Sequence, residues 1–197
     1  MPDDFDRMMA LAREEGKSDP LTGEVLIRPA RDADSPAVIE LIAACYGEYP
    51  GCVLDVESEV PGLGAVASHF AAAGGAFWVA ERRGGIVGSA GFVPAGRAVE
   101  LHHLYVGPGD RGSGLALRLF ALVEEAARQR GAAEIVCWSD TRFARGHTFY
   151  ARLGFHRGAM TRSLADRSRS VEFSFRLPLP ASPRIESEQD HETAPLP

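Results

Sequence analysis

A glycine-rich turn between an apolar strand and a long amphipathic helix constrains this chain more than any other stretch. Residues 106–120 read VGPGDRGSGLALRLF, and two anion-binding patterns overlap in them. Gly107, Gly109 and Gly112 have the spacing G-x-G-x-x-G, whereas Arg111, Gly114 and Ala116 have the spacing R-x-x-G-x-A. In either frame, glycine lets the backbone approach a ligand closely, and N–H groups at a helix start favour a phosphate. A chain with such a unit at its centre must pack helices against a sheet.

The flanking patterns extend that unit into an α/β (α+β) domain. EVLIRPA reads as a strand, and DADSPAVIELIAACYGEY as a helix with Asp34 or Ser35 near its N-cap. VPGLGAVASHFAAAG is a second helical stretch. AFWVAERRGGIVGSAGFVP holds two apolar runs around Arg82-Arg83-Gly84-Gly85, a hairpin pattern. RAVELHHLYV is a third strand, and LALRLFALVEEAARQRG is an amphipathic helix ending at Gly131, with Leu115, Leu119 and Leu122 on its core side. AEIVCWSD follows as a strand, RGHTFYARLG as a short helix and RSVEFSFRLPL as a closing, alternating strand. These elements occupy residues 25–180. Residues 1–24 predict a leading helix (FDRMMALAREEG) and a linker, and the polar, Pro-containing residues 181–197 predict a disordered tail.

Element order decides between the glycine patterns. A dinucleotide-binding fold opens with its glycine loop and continues through βα units, but here about a hundred residues come first. The hairpin before the loop makes that part of the sheet antiparallel. After Asp140, which stands in the place of a ribose-binding acid, only a short helix and one strand pair remain. R-x-x-G-x-A is therefore the preferred reading.

From Leu101 to Phe155 the chain resembles the central region of the GNAT superfamily of N-acetyltransferases. RGSGLA is similar to that family's acyl-CoA pyrophosphate loop, and FYARLGF to its later Tyr-x-x-x-Gly-Phe element. The resemblance implies a mixed, mostly antiparallel sheet flanked by helices, with strands splayed around the acyl-CoA site. It implies acetyl-CoA as co-substrate and no metal. Arg111, Gly112, Ser113, Gly114, Leu115 and Ala116 would form the phosphate loop. Leu104, Tyr105 and Val106 would hold the pantetheine arm through their backbone and polarise the thioester carbonyl, with Phe149 also at the cofactor.

Acyl transfer to an amine needs that amine neutral, the carbonyl polarised, and a proton for the departing thiolate. Tyr150 stands where many family members keep a proton-donating tyrosine; taken alone it reads as a half-buried core aromatic. Glu100 lies six residues before Val106, where several members place a base acting through water; taken alone it reads as a solvated strand-end acid. His102 is the other candidate base. Regular alternation puts Glu100 and His102 on one face with Leu104, and His103 on the other. The family's asparagine ahead of the tyrosine is missing from SDTRFARGH, where Asp140, Thr141 and Arg145 stand instead. The acceptor site is expected from CYGEYPGCVLDVESEVPGL, in which Tyr46, Tyr49 and Asp55, with Glu48 and Glu57, offer an acidic and aromatic lining for a cationic amine.

Charge narrows the partners. The net charge of −6 comes from the ends: residues 1–24 carry −4 and residues 181–197 carry −3, leaving +1 for residues 25–180. No strongly basic face is available for nucleic acid. No apolar run approaches the roughly 20 residues of a membrane helix, so no membrane partner is expected. The acidic N-terminus is unlike a secretory or transit segment, and three cysteines without metal-ligand spacing suit a reducing, cytoplasmic location. The expected function is acetyl-CoA-dependent acetylation of a small-molecule primary amine by direct attack. Acetylation of protein or peptide amines, and a non-catalytic acyl-CoA-binding regulatory module, are the alternatives. A homodimer is allowed for.

Overall fold

The computed structural model describes residues 24–180. The expected leading helix and polar tail lie outside the described residues. Seven strands form one sheet: β1 (Leu26–Pro29), β2 (Ala76–Arg82), β3 (Gly85–Ala95), β4 (Ala98–Val106), β5 (Glu134–Asp140), β6 (His156–Ser163) and β7 (Val171–Pro178). Their order across the sheet is β1-β2-β3-β4-β5-β7-β6. Neighbours are antiparallel except β4 and β5, which run parallel. Five helices flank the sheet: α1 (Ser35–Tyr46), α2 (Val56–Glu59), α3 (Val66–Ala72), α4 (Leu115–Gln129) and α5 (Ala144–Arg152). This is the mixed, mostly antiparallel architecture expected from the sequence.

Each face of the sheet has its own core. On one, Leu115, Leu119, Phe120 and Val123 of α4 pack against Val99, Leu101, Ile135, Cys137 and Phe175. On the other, Val38 and Ile42 of α1 and Val66 and Phe70 of α3 cover Phe77 and Val79. Each fully buried aliphatic of this size contributes about 1.5–3 kcal/mol. Leu122 of α4 is only half-buried.

Local chemistry explains where the elements depart from expectation. The second helical stretch breaks into a tight turn over Pro61–Ala65 before α3 begins. Asp34 occupies the N-cap position of α1, but its carboxylate is spent on Arg28 (2.8 Å from both terminal nitrogens) and on the Arg31 N–H (2.7 Å). The Ser35 hydroxyl accepts from the Val66 N–H at 3.0 Å, tying α3 to α1. Strand β6 gave no alternation to read because all but one of its residues are exposed; it is an edge strand ordered by pairing with β7.

Strand β4 carries the consequential irregularity. His103 sits at φ +50°, and the β3–β4 register slips between Ser89 and Gly91. The Ser89 hydroxyl donates to the His103 carbonyl at 2.8 Å, satisfying a group that the bulge takes out of the ladder. Past the bulge the faces are exchanged. His102 and His103 both pack at the Phe70 ring, with centroids 5.8 and 6.0 Å away. Tyr105 joins the α1–α3 core, and Leu104 joins the α4 core with Leu101. The expected grouping of Glu100, His102 and Leu104 against His103 is thereby overturned: one extra residue resets the pleat.

Strands β4 and β5 pair only through Ala98, Val99 and Glu100 with Glu134, Ile135 and Val136. Both strands then continue, to Val106 and Asp140, without pairing to each other. The sheet is split from that point.

Candidate active site

The split opens into a cavity of about 710 Å³. Its walls are the end of β4 (Leu104, Tyr105, Val106), the glycine loop and start of α4, the end of β5 (Trp138, Ser139, Asp140), one side of α5 with Phe149 and Tyr150, and the end of α1 with Tyr46 and the following Tyr49.

At the loop end, the backbone distinguishes the two glycine patterns. Gly112 and Gly114 have φ of +77° and +81°, and neither has any atom within 4 Å of where a Cβ would stand. Their requirement is torsional. Gly107 has φ −57° and Gly109 is not left-handed, so G-x-G-x-x-G shares only Gly112 with the conformation that needs glycine. Gly114 caps α4; the Leu117 and Arg118 N–H groups bond back to its carbonyl at 3.0 and 3.1 Å, and those of Leu115 and Ala116 precede the first intrahelical bond. Leu115 and Ala116 of that turn line the cavity. Ser113 does not; its hydroxyl donates to the Asp110 carbonyl at 2.6 Å.

Arg111 lines the cavity with its fork already engaged. Its Nε donates to the Val106 carbonyl at 3.0 Å, and Nη1 and Nη2 hold Glu48 at 2.7 and 2.5 Å. Arg145 reaches the same carboxylate at 2.8 Å. Arg111 foremost, then Arg145, holds the Glu48 carboxyl down at about 2. Glu48 thus ties the end of α1 to the glycine loop and to α5, a contact between residues 63 and 97 positions apart that local sequence cannot announce.

On the α5 wall, the Tyr150 ring lies 5.4 Å from Phe155 and 5.2 Å from Phe175, and its hydroxyl interacts with the buried Cys137 thiol. Burial, with Cys137 and Glu172 beside it, raises the Tyr150 hydroxyl well above its ordinary value, so it stays protonated. Burial and Tyr46 do the same to Tyr105. Tyr46 and Tyr49 line the cavity and meet Phe143 at 5.1 and 4.8 Å, whereas Asp55 does not line it.

Glu100 and His102 lie together, Nε2 of the histidine 3.5 Å from Oε1 of the glutamate, but neither lines the cavity. His103 does, and burial with His102 and His69 nearby lowers it to about 3, leaving it neutral. Asp140 lines the cavity; although burial opposes it, Arg142 keeps this carboxyl below the usual range, bonding Oδ1 through its N–H and Nε at 2.8 Å each. Arg142 also reaches the carbonyls of Gly51 and Ser168, and Ser168 Oγ both accepts from and donates to the Val53 backbone at 2.8 and 2.9 Å. The loop after α1 is thus fastened to the loop between β6 and β7.

Two lining carboxylates were not foreseen: Asp110 of the glycine loop, which is paired with Arg82, and Glu172 of β7. The alternation of RSVEFSFRLPL puts Glu172 opposite Phe173 and Phe175, and pairing sets it beside Asp140; knowledge of that pairing would have found it.

Residues 73–157 match the acetyltransferase (GNAT) domain family. The chain is 30% identical over 128 residues to an uncharacterized N-acetyltransferase of Escherichia coli K12, YjgM, the match covering 62% of this chain and 76% of that protein. It is 36% identical over 89 residues to the probable N-acetyltransferase family 8 member 5 of Mus musculus, covering 42% of this chain but only 39% of that relative's length. A GNAT-family acetyltransferase from Staphylococcus aureus Mu50 has a TM-score of 0.68 at 19% identity, over 80% of this chain and 100% of the other. The yncA structure from Salmonella typhimurium, described with its cofactor acetyl-CoA, has a TM-score of 0.61 at 22% identity, over 83% and 98%. Both share the fold described above.

Proposed function

The chain belongs to the GNAT superfamily of N-acetyltransferases, and on that premise we propose that it transfers the acetyl group of acetyl-CoA to the primary amine of a small molecule by direct attack. The observation that carries this reading is one continuous cavity lined both by a left-handed glycine loop and by a half-buried tyrosine whose hydroxyl stays protonated. Its volume is within the range of ligand sites.

Each wall has a task in that reaction. The first-turn N–H groups at Gly114 to Ala116 receive the pyrophosphate, and Arg111 and Arg145 supply positive charge at the loop mouth. The edge of β4 from Leu104 to Val106, left unpaired by β5, offers backbone groups to the pantetheine amides and the thioester carbonyl. Phe149 packs on the acyl arm, and Tyr150 gives its proton to the departing thiolate. Tyr46 and Tyr49 receive the acceptor. The fastening of the α1 loop to the β6–β7 loop through Arg142 and Ser168 favours a compact acceptor over a long protein tail.

Calorimetric titration with acetyl-CoA, followed by thiol release across a panel of small amines and a short alanine peptide, tests the assignment. Binding together with release by a small primary amine is expected. Binding without release from any amine would make the chain a regulatory module, and release with the peptide alone would make it a protein acetyltransferase.

A further inference from the structure

Three carboxylates line the cavity, and two are committed to holding the fold. Asp110 is paired with Arg82 at 2.8 Å. Asp140 gives both oxygens to Arg142. Glu172 differs. Its Oε2 accepts from Arg162 Nε at 2.6 Å, and no hydrogen bond to Oε1 is present among the described residues. Its side chain is 16% exposed, so it is largely withdrawn from water while still reaching the cavity.

We propose that Glu172 is the carboxylate that receives the acceptor's ammonium group and takes its proton, and that the acceptor is a primary alkylamine with an apolar or aromatic body. The assignment rests on the N-acetyltransferase reading above and deepens it. Tyr46, Tyr49, Phe143 and Trp138 give that end of the cavity an aromatic wall for the acceptor's body. Tyr150 lies within electrostatic reach of Glu172, so a proton acceptor and a proton donor face one cavity. The two β4 candidates do not meet this condition, because Glu100 and His102 lie outside the lining.

The proton balance closes. Glu172 takes one proton from the ammonium nitrogen and later returns it to solvent. The freed lone pair forms the C–N bond, the C–S bond breaks, and the sulfur takes the Tyr150 proton. The amide nitrogen then loses its extra proton, which restores Tyr150. The net products are the amide, the free thiol and one proton.

The surroundings set the pH dependence. Burial foremost raises the Glu172 carboxyl, Arg162 on β6 lowers it, and Asp140 on β5 and Glu100 on β4 raise it further; Tyr150 on α5 and Cys137 on β5 also face it. Activity therefore falls away on the acid side at a pH above the ordinary carboxylate range, and removing Arg162 moves that limb upward.

The experiment is the pH–rate profile of the parent, Glu172→Gln, Arg162→Gln and Glu100→Gln with phenethylamine and butylamine, with acetyl-CoA affinity and Tm measured for each. Glu172→Gln is expected to lower kcat/KM for the amine about 100-fold at pH 7, to recover as pH approaches the free amine's own pKa, and to keep acetyl-CoA affinity and Tm near parental values. Arg162→Gln is expected to shift the acid limb to higher pH. Parent-like rates for Glu172→Gln at every pH overturn the proposal, as does loss of the acid limb in Glu100→Gln instead. A parent that turns over neither amine overturns the alkylamine assignment, while the small-amine reading beneath it falls only if every small amine of the panel fails.

Discussion

Replacing Tyr150 by phenylalanine separates its packing from its chemistry. The ring contacts with Phe149, Phe155 and Phe175 survive, because they involve only carbon. What disappears is one hydroxyl and its interaction with the Cys137 thiol. A neutral hydrogen bond is worth about 0.5–1.5 kcal/mol net, and a bond to sulfur is at the weak end of that scale. In a domain of this length such a loss moves Tm by about 4 °C at most. With Tyr150 as the proposed proton donor, the expected catalytic loss is larger. A positioned general acid contributes about 10²- to 10⁴-fold, equivalent to about 3–5 kcal/mol of barrier. Thiol release at saturating acetyl-CoA should therefore drop by that factor, while the calorimetric affinity for acetyl-CoA stays within about threefold. Because Tyr150 is held well above its ordinary value, the parent should show no falling alkaline limb from this residue between pH 6 and 9. Parental turnover in Tyr150→Phe would refute the reasoning, since water would then protonate the thiolate. So would a parallel collapse of Tm, which would mean that the hydroxyl is structural.

Other positions make different demands. Gly114→Ala forces a Cβ into φ +81° at the cap of α4; a loss of about 1 kcal/mol in chemical denaturation, with weakened acetyl-CoA binding, is expected. Gly91→Ala would place a Cβ 2.4 Å from a Phe77 ring carbon beside the β4 bulge; overpacking of about 1–3 kcal/mol should lower the denaturation midpoint, and an unchanged midpoint would mean that the ring moves freely. Glu48 sits at about 2 when folded against an ordinary value of 4.5. Its contribution is thus complete above pH 4.5 and lost as pH falls toward 2. Because the group is about a quarter exposed, that contribution is about 1 kcal/mol or less, and the Tm gap between parent and Glu48→Gln should close over the same interval.

The elements framing the cavity were legible because each has a local cause. The hairpin at Arg83-Gly84 needs two left-handed residues, and both are left-handed, at φ +52° and +79°. Helix α4 shows its apolar stripe, and Gly131 after it is left-handed at +64°. The glycine loop could be placed because strand, loop and helix occur together. What could not be read depends on pairing between distant residues. On β4 itself the bulge is marked by neither glycine nor proline, only by a histidine that tolerates positive φ when Ser89 bonds its carbonyl. With that one residue unaccounted for, regular alternation groups Leu104 with Glu100 and His102, whereas it packs with Leu101 in the α4 core. Glu48 and Glu172 acquire their roles from partners on other elements, Arg111 and Arg145 for one, Arg162 and Asp140 for the other.

Strands β4 and β5 share only three residue pairs, and this has a mechanical consequence. An intact sheet frays inward from its edges, but this one carries a notch in its middle, with four strands on one side and three on the other. Helix α4 packs across both halves, so the notch behaves as a flexure rather than a break. Any bound molecule that hydrogen-bonds along the free edge of β4 supplies rungs that β5 withholds. Ligand binding then stiffens the whole sheet, and amide exchange should slow in strands far from the molecule that slowed it.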